Sequence, residues 1–456
     1  MELTENEILQ LISTHDIEVR RYQQMQRYYN AKQDILYKES LPNKPNNKLV
    51  HNFAGVITDT HTGYFLGVPV TYTQEENDEV TDVEQELQTE IAGEGEQFID
   101  YLTDIFDYND EQAHNAKIGK IASIKGRAFE VLYTDENSHI RFGAEDPEKM
   151  IAVYDNSIDP ELKAAVRYFY ETDITGQIIR DQKGIPLKLI VELYTADEVV
   201  SYEGISGNIR ETERRPHYFG DVPVIEYPNN DERIGDFEKV LTLIDAYDKS
   251  RSNTQDDEDE FTDAILKIVN MSGTQTGDIQ NVKKDKVILC DGDGDAEWLV
   301  KTTNDTAKEN NRISLENGIY TFSLTPNMSD ENFSGNTSGI AIKYKLWPTE
   351  TKTSQKERLF KKSLQRRIEM IANLLAFLGD GQFDYRAIRI LFTRNLPVNI
   401  VEKTDVVEKL HGRVSQETLL SLLPFIDDPA AELKRIEAES GGVDLNTIDT
   451  GEADEI

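Results

Sequence analysis

Cysteine is almost absent from this 456-residue chain: Cys290 stands alone, so no disulfide can close within it and a reducing compartment is expected. No run of 18 apolar residues occurs, which argues against a membrane-spanning helix. The opening MELTENEILQLIS is acidic and has no basic segment leading into an apolar one, so it does not read as a signal peptide, and synthesis in the cytoplasm is expected. Basic excess is missing as well. Asp and Glu number 85 against 49 Lys and Arg, a net charge of −36, which disfavours generic adhesion to DNA, RNA or anionic membrane.

Catalytic signatures are also lacking. There is no G-x-x-x-x-G-K-[ST] to cradle a nucleotide, no H-E-x-x-H, no G-x-S-x-G and no paired C-x-x-C. The histidines (His15, His51, His61, His114, His139, His217, His411) are scattered without ligand spacing. Asp291, Asp293 and Asp295 imitate the start of a calcium loop, but Ala296 stands where glycine is needed and Thr302 where a bidentate Glu belongs. The run Asp256 to Glu260 could suggest a two-metal nuclease, yet contiguous helical residues fan around the axis instead of converging. The chain is therefore read as a non-enzyme with no catalytic residue, cofactor or metal site.

What is present is an α+β pattern. Thr4 and Glu7 make a capping box for a first helix carrying Ile8, Leu9, Leu11 and Ile12, and a second helix is predicted over about 16–30. The stretch ILYKESLPNKPNNKL reads as an extended arm or turn, and 49–66 as a helix ending at Gly67. Residues 74–100 are acidic and predicted to be a mobile surface excursion; a helix from about 108 to Lys125 follows. Over 127–227, RAFEVLYT, MIAVYD, AAVRYFYE, PLKLIVELYT and VPVIEY are spaced like hairpin strands, so an antiparallel sheet is expected. A helix over 236–260 carries Phe237, Val240, Leu241, Ile244 and Tyr247 on one stripe. Its acidic C-terminal half opposes the helix dipole, and an outside partner or full solvation is predicted for it. A β insertion spans 264–303, a helix spans about 305–322, a strand falls in 387–401, and Ser415 and Asp428-Pro429 start short helices.

The most informative stretch is 325–378. TPNMSDENFSGNTSG is turn-forming throughout and leads into a long helix whose stripe is Phe360, Leu364, Ile368, Ile371, Leu375 and Leu378. Lys361, Arg366, Arg367 and Glu369 are placed mostly off that stripe. A polar loop on a rigid lever is the build of a moving part. Arg366, Arg367, Lys343, Lys345, Lys352, Lys356, Lys361 and Lys362 form the main basic concentration, read as balancing nearby acids, with a subset as an alternative band facing DNA phosphate.

Several stretches taken in order resemble the portal proteins of long-tailed, double-stranded DNA bacteriophages. They are RYYNAKQDILYKE, NNKLVHNFAGVITDTHTGYFLGVPVTY, GDVPVIEYPNNDERIGDFEKVLTLIDAYDKSRSN, EFTDAILKI, SDENFSGNTSGIAIKYKLWPTE and LPVNIVEKTDVVEKLHGRVSQETLLSLLPFIDDPAAEL, covering about residues 20 to 435. The resemblance implies an α+β portal fold: a wing over 1–235, a stem helix at 236–263, a β-containing clip at 264–303 and a second stem helix at 304–323. A tunnel loop at 324–338, the long helix and a return to the wing at 339–403, a helical crown at 404–440 and an acidic, disordered tail at 441–456 complete it. It further implies a homo-oligomeric ring of about twelve subunits in the virion. Viral double-stranded DNA would pass non-specifically, and terminase, major capsid, scaffolding and head-completion adaptor proteins would be partners. Asn327, Ser329, Asp330, Glu331, Asn332, Ser334 and Asn336 would line the channel, with Lys343 and Lys345 as a basic band. Asp278, Lys283, Lys284, Asp291, Asp293 and Trp298 would lie in the partner-binding clip. The competing reading is a scaffolding assembly protein with no channel.

Overall fold

The computed structural model describes residues 3–74, 85–261, 265–269, 293, 295–299, 305–328, 339–396 and 400–440, apart from positions 41, 43, 182, 183, 185, 206, 424, 425, 427 and 428. The chain divides into two units: residues 1–335 with 343–394, and residues 336–342 with 395–456.

The first unit opens with α1 (Glu5–Tyr29), capped as its sequence requires: Thr4 N donates to Glu7 Oε2 at 2.8 Å and Glu7 N to Thr4 Oγ1 at 3.4 Å. The two expected helices are one. Nothing in Ser13-Thr14-His15 breaks the spiral, and Thr14 Oγ1 bonds back to the carbonyls of Gln10 and Leu11 within it. An extended arm leads to α2 (Phe53–Leu66) and β1 (Thr71–Gln74).

The acidic segment requires a second correction. Its described part is helix α3 (Gln85–Tyr108), with Phe98, Leu102 and Phe106 buried at four-residue spacing and Phe98 stacked 4.7 Å from Phe383. Three aromatic and aliphatic anchors outweigh the acidity of the outward face; residues 75–84 lie outside the description. Helix α4 (Glu111–Lys125) ends on Gly126 at φ +90, where a Cβ would meet Arg233 O at 2.0 Å, so only glycine fits.

The expected antiparallel architecture is present. β2 (Arg127–Thr134) is flanked by β3 (Ile140–Glu145) and β9 (Val224–Pro228). A five-stranded meander runs β4 (Met150–Tyr154), β5 (Leu162–Tyr170), β6 (Leu189–Tyr194), β7 (Glu198–Ile205), β8 (Asn208–Pro216). Then come α5 (Leu241–Phe261), the antiparallel pair β10 (Ile265–Val269) and β11 (Asp295–Leu299), α6 (Asp305–Ser323), α7 (Gly339–Leu378) and β12 (Ile388–Leu391), which pairs with β1.

The largest core gathers α3, α4, β2, β3, β9, β12 and the α7 stripe Phe360, Leu364, Ile368, Ile371 and Leu375; Leu378, expected on that stripe, is half exposed. A second core joins Met25, Tyr28, Phe53, Ile57, Phe237, Val240, Ile244, Tyr247 and Ile319, and a third packs Ile8 against the meander. In the second unit, α8 (Ile400–Leu410) is followed by α9 (Gln416–Ser421), capped by Ser415, and α10 (Pro429–Ser440), which packs against α9.

Candidate functional site: the base of the 324–338 segment

Helix α6 stops at a Schellman-type end. Leu324 sits at φ 59, its N–H bonds to Thr321 O at 3.3 Å, and Thr325 N reaches Tyr320 O at 3.0 Å. A leucine in the left-handed region is strained and is held there by its surroundings. Thr349 Oγ1 donates to Leu324 O at 2.8 Å, Lys352 Nζ donates to Ser323 O at 3.0 Å, and Thr325 Oγ1 lies 3.1 Å from His61 Nε2. The start of the segment is thereby bonded to α7 and α2. Pro348, inside α7, has no N–H for the carbonyl one turn back, so the helix is weakened just before Thr349.

These bonds rest on a buried ion cluster. Asp236 is flanked by Lys356 Nζ at 2.5 Å and Lys352 Nζ at 3.2 Å, and accepts from Asn229 Nδ2 at 3.0 Å. Lys356 also donates to Ser123 Oγ at 2.9 Å. Burial opposes the charge on Asp236, but the two ammonium groups outweigh it and hold its carboxyl well below the usual range. Burial lowers His61 to about 3, so the imidazole is neutral, with Nε2 facing the Thr325 hydroxyl and, at 3.4 Å, Lys352.

About three turns further along α7, Arg367 is fully buried and makes a two-pronged contact with Glu130, at 3.0 and 2.6 Å. Its other donors reach Glu111 at 3.0 Å and Asn115 at 2.8 Å, while His114 and Tyr227 complete Glu130. The placement of Arg367 off the buried stripe is corrected: its carboxylate partners are themselves inside the core. Arg366, Lys352 and Lys356 do balance neighbouring acids, as expected.

The acidic end of α5 has a partner from outside the helix, and it comes from the same chain. The arm before α2 lies along the helix, with the backbone N–H groups of Asn47, Leu49 and His51 donating to Asp256, Ser252 and Asp248 at 2.6, 3.0 and 3.0 Å. Every second residue of an extended chain advances ~6.6 Å and every fourth of a helix ~6 Å, so the two ladders stay in step. Lys38 adds a 2.6 Å ion pair to Asp256, and Lys308 of α6 pairs with Asp257 at 2.7 Å.

Of the residues expected at the loop, Asn327 is described and half-buried; Ser329, Asp330, Glu331, Asn332, Ser334 and Asn336 lie outside the described residues. Lys343 is exposed and Lys345 half-buried on the first turns of α7. Asp293 is exposed in a turn and Trp298 occupies β11 opposite Leu266, whereas Asp278, Lys283, Lys284 and Asp291 fall outside. Among the described residues, no group of three or more His, Cys, Asp or Glu is arranged to hold a metal. No helix there is long and apolar enough to cross a membrane. Sequence reasoning missed Asp236, Glu130 and Glu111, whose partners lie far along the chain.

Both buried clusters pair their charged groups with one another, which suits bracing a helix. The frame is thus of the α+β class, with one long helix, α7, braced at two points. The chain is a member of the phage portal proteins, SPP1 Gp6-like, whose family profile matches residues 8–444. It is 28% identical to the portal protein of Clostridium phage phiCD119, over 93% of this chain and 95% of that one. It is 27% identical to the portal protein of Bacillus phage SPP1, over 93% of this chain and 81% of that one.

Proposed function

We propose that the chain closes into a ring of about twelve subunits at one vertex of a phage head, a heterologous interface whose rotation returns on itself. Double-stranded DNA passes along the axis of that ring during packaging and ejection. The observation that carries this reading is the family match over nearly the whole chain; the bonded base of the 324–338 segment supports it. In this reading the segment is the tunnel loop, with Asn327, Ser329, Asp330, Glu331, Asn332, Ser334 and Asn336 against the duplex and Lys343 and Lys345 as a local basic band.

Charge favours sliding. A ring of about twelve copies, each at −36, carries roughly −430 before counterions, so phosphates meet no deep well to escape at each step. Uncharged Asn and Ser side chains exchange weak hydrogen bonds without reading sequence. The chain carries no nucleotide-binding motif, so a separate terminase motor supplies the work. It docks on the clip, residues 264–303, through Asp278, Lys283, Lys284, Asp291, Asp293 and Trp298. The head-completion adaptor and the capsid and scaffolding proteins take other faces of the ring.

Negative-stain electron microscopy with light-scattering mass on one sample tests the reading. Rings with a stain-filled axial hole, at about twelve times 52.0 kDa, are the expected result. Filaments or a solid closed oligomer overturn the channel and favour a scaffolding role.

A further inference from the structure

Two helices of the first unit turn apolar stripes to the same core and leave charged stripes of opposite sign outside. Helix α3 buries Phe98, Leu102 and Phe106 and exposes Asp100, Asp104 and Asp107. Helix α7 buries Phe360 and Leu364 and exposes Arg358 and Lys362. Among the described residues none of these five charges has an ion-pair partner, although most nearby cations do: Arg366, Arg367, Lys352 and Lys356 each pair with an acid.

The spacing of the two stripes matches. Asp100 to Asp104 and Arg358 to Lys362 are both four-residue steps, ~6 Å of helical rise. Three residues further, just under one turn, come Asp107 on one helix and Gln365, an uncharged hydrogen-bonding group, on the other. Two helices laid side by side can therefore pair acid with base at two successive turns.

We propose that the Arg358–Lys362 face of one copy docks on the Asp100–Asp104–Asp107 face of the next copy of this chain. The contact is heterologous, since each copy offers one stripe of each sign, and repeated contacts of that kind close a ring or run as a filament. It offsets the repulsion between copies that each carry a large negative charge. The proposal rests on the ring reading above. DNA phosphate is the other anion that could take the basic stripe, but it leaves the matched acidic stripe unused.

The test is charge reversal in the full chain, followed by sedimentation velocity in about 0.1 M salt, where charges are screened beyond ~10 Å. R358D/K362D is expected to assemble at least tenfold less well than wild type, and D100K/D104K likewise. Combining all four substitutions is expected to restore the ring. All four side chains are exposed, and an unchanged thermal midpoint verifies folding; the neutral pair R358Q/K362Q, expected to weaken assembly more mildly, serves if a reversal variant does not fold. Wild-type rings that R358D/K362D leaves intact overturn the pairing alone. Loss without rescue, accompanied by weaker retention of a DNA fragment, assigns the stripe to phosphate and overturns it as well. A wild type that stays monomeric overturns the ring reading and the pairing with it.

Discussion

Lys356 Nζ lies 2.5 Å from Asp236 Oδ2, with both side chains shut away from water. This pair carries the start of the 324–338 segment, because Lys352, the second cation on Asp236, is also the donor to Ser323 O. Removing one member leaves a buried charge without its counter-charge. D236N is expected to cost about 3–5 kcal/mol, read from the urea midpoint. K356M is expected to cost less, since Lys352 still neutralises Asp236, and the double variant less than the sum of the two. A loss under about 1 kcal/mol for D236N would show that the cluster does not brace the helix.

Acid should release the second anchor of α7. Burial pushes the Glu130 carboxyl up, but the Arg367 guanidinium and the His114 hydrogen bond outweigh it and bring it from 4.5 to about 2. Its pKa is lower in the folded chain, so between pH 4.5 and 2 the unfolded chain holds the extra proton. The stability it contributes is complete above that window and lost as pH falls through it. The thermal midpoint of wild type should drop steeply there, and E130Q should start lower and fall less. R367K should also start lower, because an ammonium cannot reproduce the two-pronged contact. An E130Q slope equal to that of wild type would remove Glu130 from the account.

Legibility in the sequence followed the range of the interaction. The Thr4–Glu7 capping box, the Gly126 turn and the strand β2 are set by neighbours a few residues apart and were readable. Strand β8 was not, because NIRETERRP buries only Ile209 and shows almost no apolar alternation; its charges suit the edge of a sheet. Helix α3 was hidden by its own acids, which outnumber the anchors Phe98, Leu102 and Phe106. The bracing pairs left no local trace: Lys356 and Asp236 are 120 residues apart, Arg367 and Glu130 237. Sequence showed the long helix α7, while the chemistry that fixes residues 323–325 to it exists only in three dimensions.

The arm along α5 gives a local prediction that is separable from global stability. Asp256 accepts the Asn47 backbone and side-chain N–H groups and pairs with Lys38, while Ser252 takes the Leu49 N–H. Hydrogen bonds to a charged acceptor contribute ~1.5–3 kcal/mol, so losing that charge should ease local opening roughly tenfold or more. In D256N the amide of Asn47 is expected to exchange with deuterium at least tenfold faster, and trypsin should cut sooner at Lys48. The core contacts of α5 through Ile244 and Tyr247 are untouched, so the urea midpoint should move little. S252A should speed Leu49 while sparing Asn47, which follows from the stepwise ladder and from no general loosening of the arm. Equal acceleration at both amides in S252A, or none in D256N, would mean that the arm is held by something other than this register.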